Sequence, residues 1–88
     1  MRPRPTIDAE ALALSALAAT LSDERRARRV LDLSGIETDE LRRRAADPAI
    51  LAALIRFLES HEPDLIDVAE AIGVSPQELV AAREELER

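Results

Sequence analysis

Helix start and stop signals recur so closely along this chain that no element has room to run much past about a dozen residues. The starts are side chains that accept hydrogen bonds from the orphaned amides of a first turn, and the stops are glycines and prolines. Thr6 or Asp8 is placed to cap a first helix that extends to Leu21 or thereabouts. Ser22 follows as the cap of a second, with Asp23 and Glu24 in the first turn, where the helix dipole favours anions. Gly35 supplies its left-handed stop. Thr38, Asp39 and Glu40 open a short third helix, which ends at Asp47-Pro48. That dipeptide also starts the fourth, Asp47 as N-cap and Pro48 as first helical residue. The fourth helix reaches the neighbourhood of His61, Pro63 ends it, Asp64 caps a fifth, and Gly73 closes that one. Ser75-Pro76-Gln77-Glu78 is a full capping box with proline at the first helical position, and it launches the last helix.

Between these signals the apolar spacing is helical throughout. Leu51, Leu54, Ile55 and Leu58 stand at i, i+3, i+4 and i+7, and Ile50 and Phe57 widen the stripe. An arc that broad puts the fourth helix at the centre of the fold. Leu65, Val68, Ala69 and Ile72 repeat the spacing in the fifth, and Leu79, Ala82 and Leu86 line the sixth. Ala27, Val30 and Leu31 form the inner stripe of the second helix, and Leu41 and Ala45 that of the third. In the first, steps of about 100° per residue put Ile7, Leu14, Leu17, Ala18 and Leu21 on the inner face. No alternating strand pattern competes. Short connections force neighbouring helices to fold back on each other. The expectation is an all-α, compact bundle of five or six short helices with a C-terminal helix-turn-helix-like hairpin. It forms a single helical domain over residues 6–88, behind a flexible leader, residues 1–5, that contains Arg2, Pro3, Arg4 and Pro5.

Composition narrows the chemistry. With 88 residues there is room for one domain. Hydrophobic residues make up 47% of the chain, too many for a disordered segment, and Phe57 is the sole aromatic, so the core must be aliphatic. There is no cysteine, which excludes disulfides, thiolate metal sites and cysteine nucleophiles. No apolar run approaches the roughly 20 residues of a membrane span, and no signal peptide is legible, so a cytoplasmic location is expected. The net charge of −6 is unevenly spread: acids and arginines balance as far as His61, and the excess lies in the last third. All the basic residues are arginine.

Three features carry candidate chemistry. The stretch Leu65-Ile66-Asp67-Val68-Ala69-Glu70-Ala71-Ile72-Gly73-Val74-Ser75-Pro76 leads into a capped helix and is patterned as a helix-turn-helix. Its second helix, however, presents Gln77, Glu78, Arg83, Glu84, Glu85 and Glu87, and DNA affinity comes largely from cations. Nucleic acid is therefore the alternative, and a hairpin packed for stability the preferred reading. An arginine band spans Arg25, Arg26, Arg28, Arg29, Arg42, Arg43 and Arg44. Glu24–Arg28, Asp39–Arg43 and Glu40–Arg44 are spaced to pair within a helix, which leaves Arg25, Arg26, Arg29 and Arg42 to face solvent or an anionic partner. His61, the lone histidine, projects toward Leu54 and Phe57 and is placed to meet the last carbonyls of its helix. No paired acid and base, nucleophile, metal-ligand set or glycine-rich phosphate loop emerges. Catalytic residues, metal ligands and cofactors are accordingly expected to be none, and the protein is expected not to be an enzyme.

Leu31-Asp32-Leu33-Ser34-Gly35, Leu41-Arg42, Ala45-Ala46-Asp47-Pro48, Phe57-Leu58 and His61-Glu62-Pro63-Asp64-Leu65 occur in an order that, from Ala11 to Leu86, resembles a family of short bacterial proteins. That family occurs mainly in alphaproteobacteria and is classed as a domain of unknown function. The chain departs from it at Ala49-Ile50, where the family often carries an aromatic residue. The resemblance implies an all-helical cytoplasmic protein and brings no active site with it.

The remaining expectation is a protein–protein interaction domain that docks a partner or a second copy. Opposite Leu14, Leu17 and Leu21, the first helix carries Leu12, Ala16 and Ala19, small enough together for another helix to approach. These three are the candidate docking stripe. The bland alternatives are a helix enclosed on both sides by its own domain, or alanines that are simply exposed.

Overall fold

Four of the six described helices open on a side-chain cap, though not always at the residue that spacing alone selects. In the computed structural model, which describes residues 8–88, the elements are α1 (Ala9–Leu21), α2 (Glu24–Ser34), α3 (Thr38–Arg43), α4 (Pro48–Glu59), α5 (Glu62–Ile72) and α6 (Pro76–Leu86). There is no strand among the described residues, and the architecture is an all-α bundle of six helices. The leader, Thr6 and Ile7 lie outside the described residues.

Asp8 caps α1 by accepting from the amides of Glu10 and Ala11. At the next boundary the cap is Asp23, not Ser22: the Asp23 carboxylate accepts from the Arg26 amide at 3.0 Å. Ser22 instead ends α1, its hydroxyl donating to the Ala19 carbonyl at 2.8 Å. An ionised carboxylate is the stronger acceptor for a free amide, so the serine is left to serve the preceding helix. Asp47 caps α4 through the Ala49 amide at 2.9 Å, and Ser75 and Glu78 close the expected capping box on α6. Helix α5 corrects a second boundary. It starts at Glu62, so Pro63 stands inside its first turn and Asp64 is an internal, buried residue rather than a cap. A proline there costs nothing, because its missing N–H would have had no intrahelical partner. Gly35 and Gly73 end α2 and α5 at φ values of 73° and 77°, a region where a side chain is strained.

These carboxylates carry a pH dependence. Asp47 is held below the ordinary 3.8 by the Ala49 amide and then by Arg44, and Asp23 is lowered by the Arg26 amide. Glu87 is held below its ordinary 4.5 chiefly by Arg56. The unfolded chain therefore takes up these protons at higher pH than the folded one. The stabilisation is complete above the ordinary carboxylate range and is lost as pH falls through the lowered values. Urea midpoints should be flat from pH 7 to about 5 and decline below about 4; a midpoint that rises on acidification would contradict these pairings.

The centre of the molecule is shared by α1 and α4. Helix α1 packs against α6, α4, α5 and α2, and its buried residues are Ala13, Ala16, Leu17 and Thr20. Leu14 and Ala18, which spacing assigns to the inner face, are exposed. A helix of alanine and leucine on nearly every side has almost no apolar direction of its own. Which face turns inward is set by the helices that pack on it, and these meet Ala13, Ala16, Leu17 and Thr20. Thr20 loses no hydrogen bond by burial, since its hydroxyl donates to the Ala16 carbonyl at 2.7 Å.

Helix α4 buries Leu51, Ala52, Leu54, Ile55 and Leu58, as its broad stripe requires. It is also tied to α6 by a four-residue ion network. Arg83 forks onto Glu59 at 2.6 and 3.2 Å, Arg56 forks onto Glu87 at 2.7 and 2.9 Å, and Arg83 reaches Glu87 at 3.0 Å. Bidentate geometry shared across a network makes such pairs worth more than isolated surface bridges.

Candidate docking groove

The stripe of Leu12, Ala16 and Ala19 is not an outer surface. Ala16 is 0% exposed at the heart of the bundle, and Leu12 and Ala19 are half-buried against the same core. Of the readings open in the sequence, the enclosed helix is the one the tertiary structure realises, because α5 and α6 pack onto α1 as well as α4.

The exposed apolar bulk lies elsewhere. Among the described residues the large hydrophobic side chains left in solvent are Leu14, Leu33 and Ile66, and Leu33 is the most open at 64%. Leu33 stands on the lip of a groove of about 310 Å³ where α2 and α3 lie across α1 and α4. Leu17, Val30, Leu41 and Leu54 form its floor, and Ile36, Ile50 and Phe57 its half-buried sides. The polar groups on its lining are few. Ser34 and Ser60 turn their hydroxyls back to the carbonyls of Leu31 and Arg56, and the Arg56 guanidinium is occupied by Glu87. The lining is therefore apolar in effect. Its volume sits at the lower edge of the ~300–1,000 Å³ typical of small-molecule pockets, enough for a few apolar side chains.

Sequence reasoning did not pick out this groove, although its traces were present. Ile50 and Phe57 widen the α4 stripe beyond what a single core face needs, and Leu33 departs from the Ala27, Val30 and Leu31 stripe.

The arginine band is paired differently from its spacing. Glu40–Arg44 forms at 3.4 Å, but three of the four arginines left over by the i,i+4 rule also have acidic neighbours, two of them across the fold and one a turn back in its own helix. Arg29 meets Asp64 at 3.0 Å, Arg26 lies 3.9 Å from Asp67 and donates to the Ala19 carbonyl, and Arg42 lies 3.8 Å from Asp39. No acidic partner lies within ion-pair distance of Arg25, Arg28 or Arg43 among the described residues. The α2 and α3 cations are thus split between internal fastening and solvent, rather than gathered on one face.

His61 accounts for itself structurally. Its ring stacks on Phe57 with centroids 4.4 Å apart, and Nδ1 lies 3.0 Å from the Phe57 carbonyl at the end of α4. The α5–Gly73–α6 hairpin is present as patterned, but α6 lies against α4 and α1, with Leu79 and Ala82 buried. Its Arg83 is committed to Glu59 and Glu87. Among the described residues no group of three potential ligands is placed to hold a metal, and no helix is long and apolar enough to cross a membrane.

No curated protein and no solved structure matches the chain. A family model does, over residues 6–88, which include every helix described above and the whole of the groove. The chain therefore belongs to the family described as "Protein of unknown function (DUF3572)".

Proposed function

We propose that this protein is a non-enzymatic, cytoplasmic interaction domain whose groove receives the apolar side chains of an amphipathic helix from a partner protein. The observation that carries the reading is the groove itself: an open, apolar lining with its few polar groups already engaged, and Leu33 standing exposed on its lip. An amphipathic helix laid into a hydrophobic groove is a recurring mode of recognition, and it needs little more than such a lining.

A photoreactive amino acid placed at position 33 in the native host tests it. A discrete protein adduct is expected from position 33 and not from positions 14 or 66, and Leu33→Asp should abolish the association. The same variant should stay within about 0.5 kcal/mol of the parent in stability, since it changes an exposed side chain. Absence of an adduct, or identical adducts from all three positions, would remove the reading.

The second reading, a helix-turn-helix binder of nucleic acid, has the α5–Gly73–α6 hairpin in its favour. Against it stand the acids along α6 and the engagement of Arg83, in a binding mode whose affinity depends on free cations. Duplex DNA is expected not to bind at physiological salt. Submicromolar, salt-dependent binding in an anisotropy titration would promote this reading over the first.

A further inference from the structure

The six helices are not held alike. Helices α1, α4, α5 and α6 share the core, whereas α2 buries Val30 alone and α3 buries Leu41 alone. Helix α2 packs mainly on α1, and α3 touches the other helices only sparsely. What fastens this arm at a distance is charge. Arg29 lies against the buried Asp64 of α5, with one guanidinium nitrogen 3.0 and 3.3 Å from the two carboxylate oxygens, and Arg26 lies 3.9 Å from Asp67 one turn further on. The fastening is imperfect. The Nε atoms of Arg26 and Arg29 are buried with no hydrogen-bond partner, so the closed position leaves donors unmet that solvent would satisfy.

We propose that residues 24–47 form a strap that opens as a unit from the remaining four helices, with the Arg29–Asp64 pair as its latch. The strap contributes Val30, Leu33, Ser34, Ile36 and Leu41 to the groove lining; α1 and α4 contribute Leu17, Leu54 and Phe57. Opening the strap turns a narrow groove into a continuous apolar face on α1 and α4. Elements with few buried contacts are the ones that open below the global unfolding free energy. The turn at Ser22-Asp23 and the segment from Arg44 to Asp47 are the two ends that would flex. The use of this opening to admit a partner helix rests on the interaction reading above; the opening itself does not.

Native-state hydrogen exchange on the full chain, followed amide by amide, tests the strap. The amides from Val30 to Ser34 should exchange roughly tenfold or more faster than those from Leu54 to Leu58, and with a shallower dependence on urea, because a local opening exposes less surface. Arg29→Gln should speed the strap amides by a further factor of roughly ten, the scale of a lost charged hydrogen bond; because the pair is lost in the strap-open and the globally unfolded states alike, α4 should speed by no more than the same factor. Asp64→Asn should add little once Arg29 is gone. A strap that exchanges with the rates and urea slope of α4 would overturn the proposal, since it would open only with the whole molecule. Arg29→Gln leaving the strap rates unchanged, or the two variants adding in full, would overturn the latch. If these fail while position 33 still yields its discrete adduct, the interaction reading stands and the strap does not.

Discussion

Ala16→Glu is expected to leave the protein without a cooperative melting transition. Ala16 is 0% exposed, on the face of α1 that meets the other central helices, beside Ala13 and Thr20. A glutamate there adds side-chain bulk to a packed core, which by itself costs about 1–3 kcal/mol. It also carries a carboxylate into a site where burying an unpaired charge costs several kcal/mol more. A domain of this size has only about 5–15 kcal/mol of stability, and small domains sit toward the low end. The control is Ala18→Glu, two residues along the same helix. Ala18 is exposed, so that substitution should change stability by no more than about 0.5 kcal/mol. Circular dichroism against temperature and urea reads both. Helical spacing alone gives the opposite ranking, with Ala18 inside and Ala16 outside. A folded Ala16→Glu beside an unfolded Ala18→Glu would mean that α1 is turned the wrong way round.

The second large effect separates two leucines one turn apart on α4. Leu58→Ala should cost about 3–5 kcal/mol and Leu54→Ala about 2–3 kcal/mol, the upper and lower parts of the range for buried leucines. Leu58 is fully enclosed, so its removal leaves a void that the surrounding helices can close only in part. Leu54 borders the groove, and the space it vacates joins an opening that already exists. Urea titrations with an unchanged slope would assign the difference to native-state packing. A larger loss at Leu54 would show that the groove wall, not the enclosed side of α4, is the tighter part of the core.

What is legible in the sequence alone is local interaction. The Ser75–Glu78 capping box, the Asp47-Pro48 junction and the stops at Gly35 and Gly73 each involve residues within one turn of each other, so their chemistry is complete in the sequence. The broad stripe of α4 was legible for a related reason: its apolar residues fall in one continuous arc, with Leu51, Leu54, Ile55 and Leu58 at its buried centre. Where two neighbours could both serve, as with Ser22 and Asp23, the boundary moved by one residue because the carboxylate outcompetes the hydroxyl.

The tertiary structure decided what local patterns leave open. Helix α1 is apolar nearly all round, and only the helices packed onto it select Ala13, Ala16 and Leu17 over Leu14 and Ala18. The arginines followed the same logic. Spacing paired Arg28 with Glu24, but Asp64 and Asp67, far along the chain, took Arg29 and Arg26, because a carboxylate brought alongside by folding need not lie one turn away in sequence. The groove is the clearest case. It is the space left where a lightly packed α2 and α3 cross α1 and α4, and a gap between helices depends on how they cross, which no helix encodes alone.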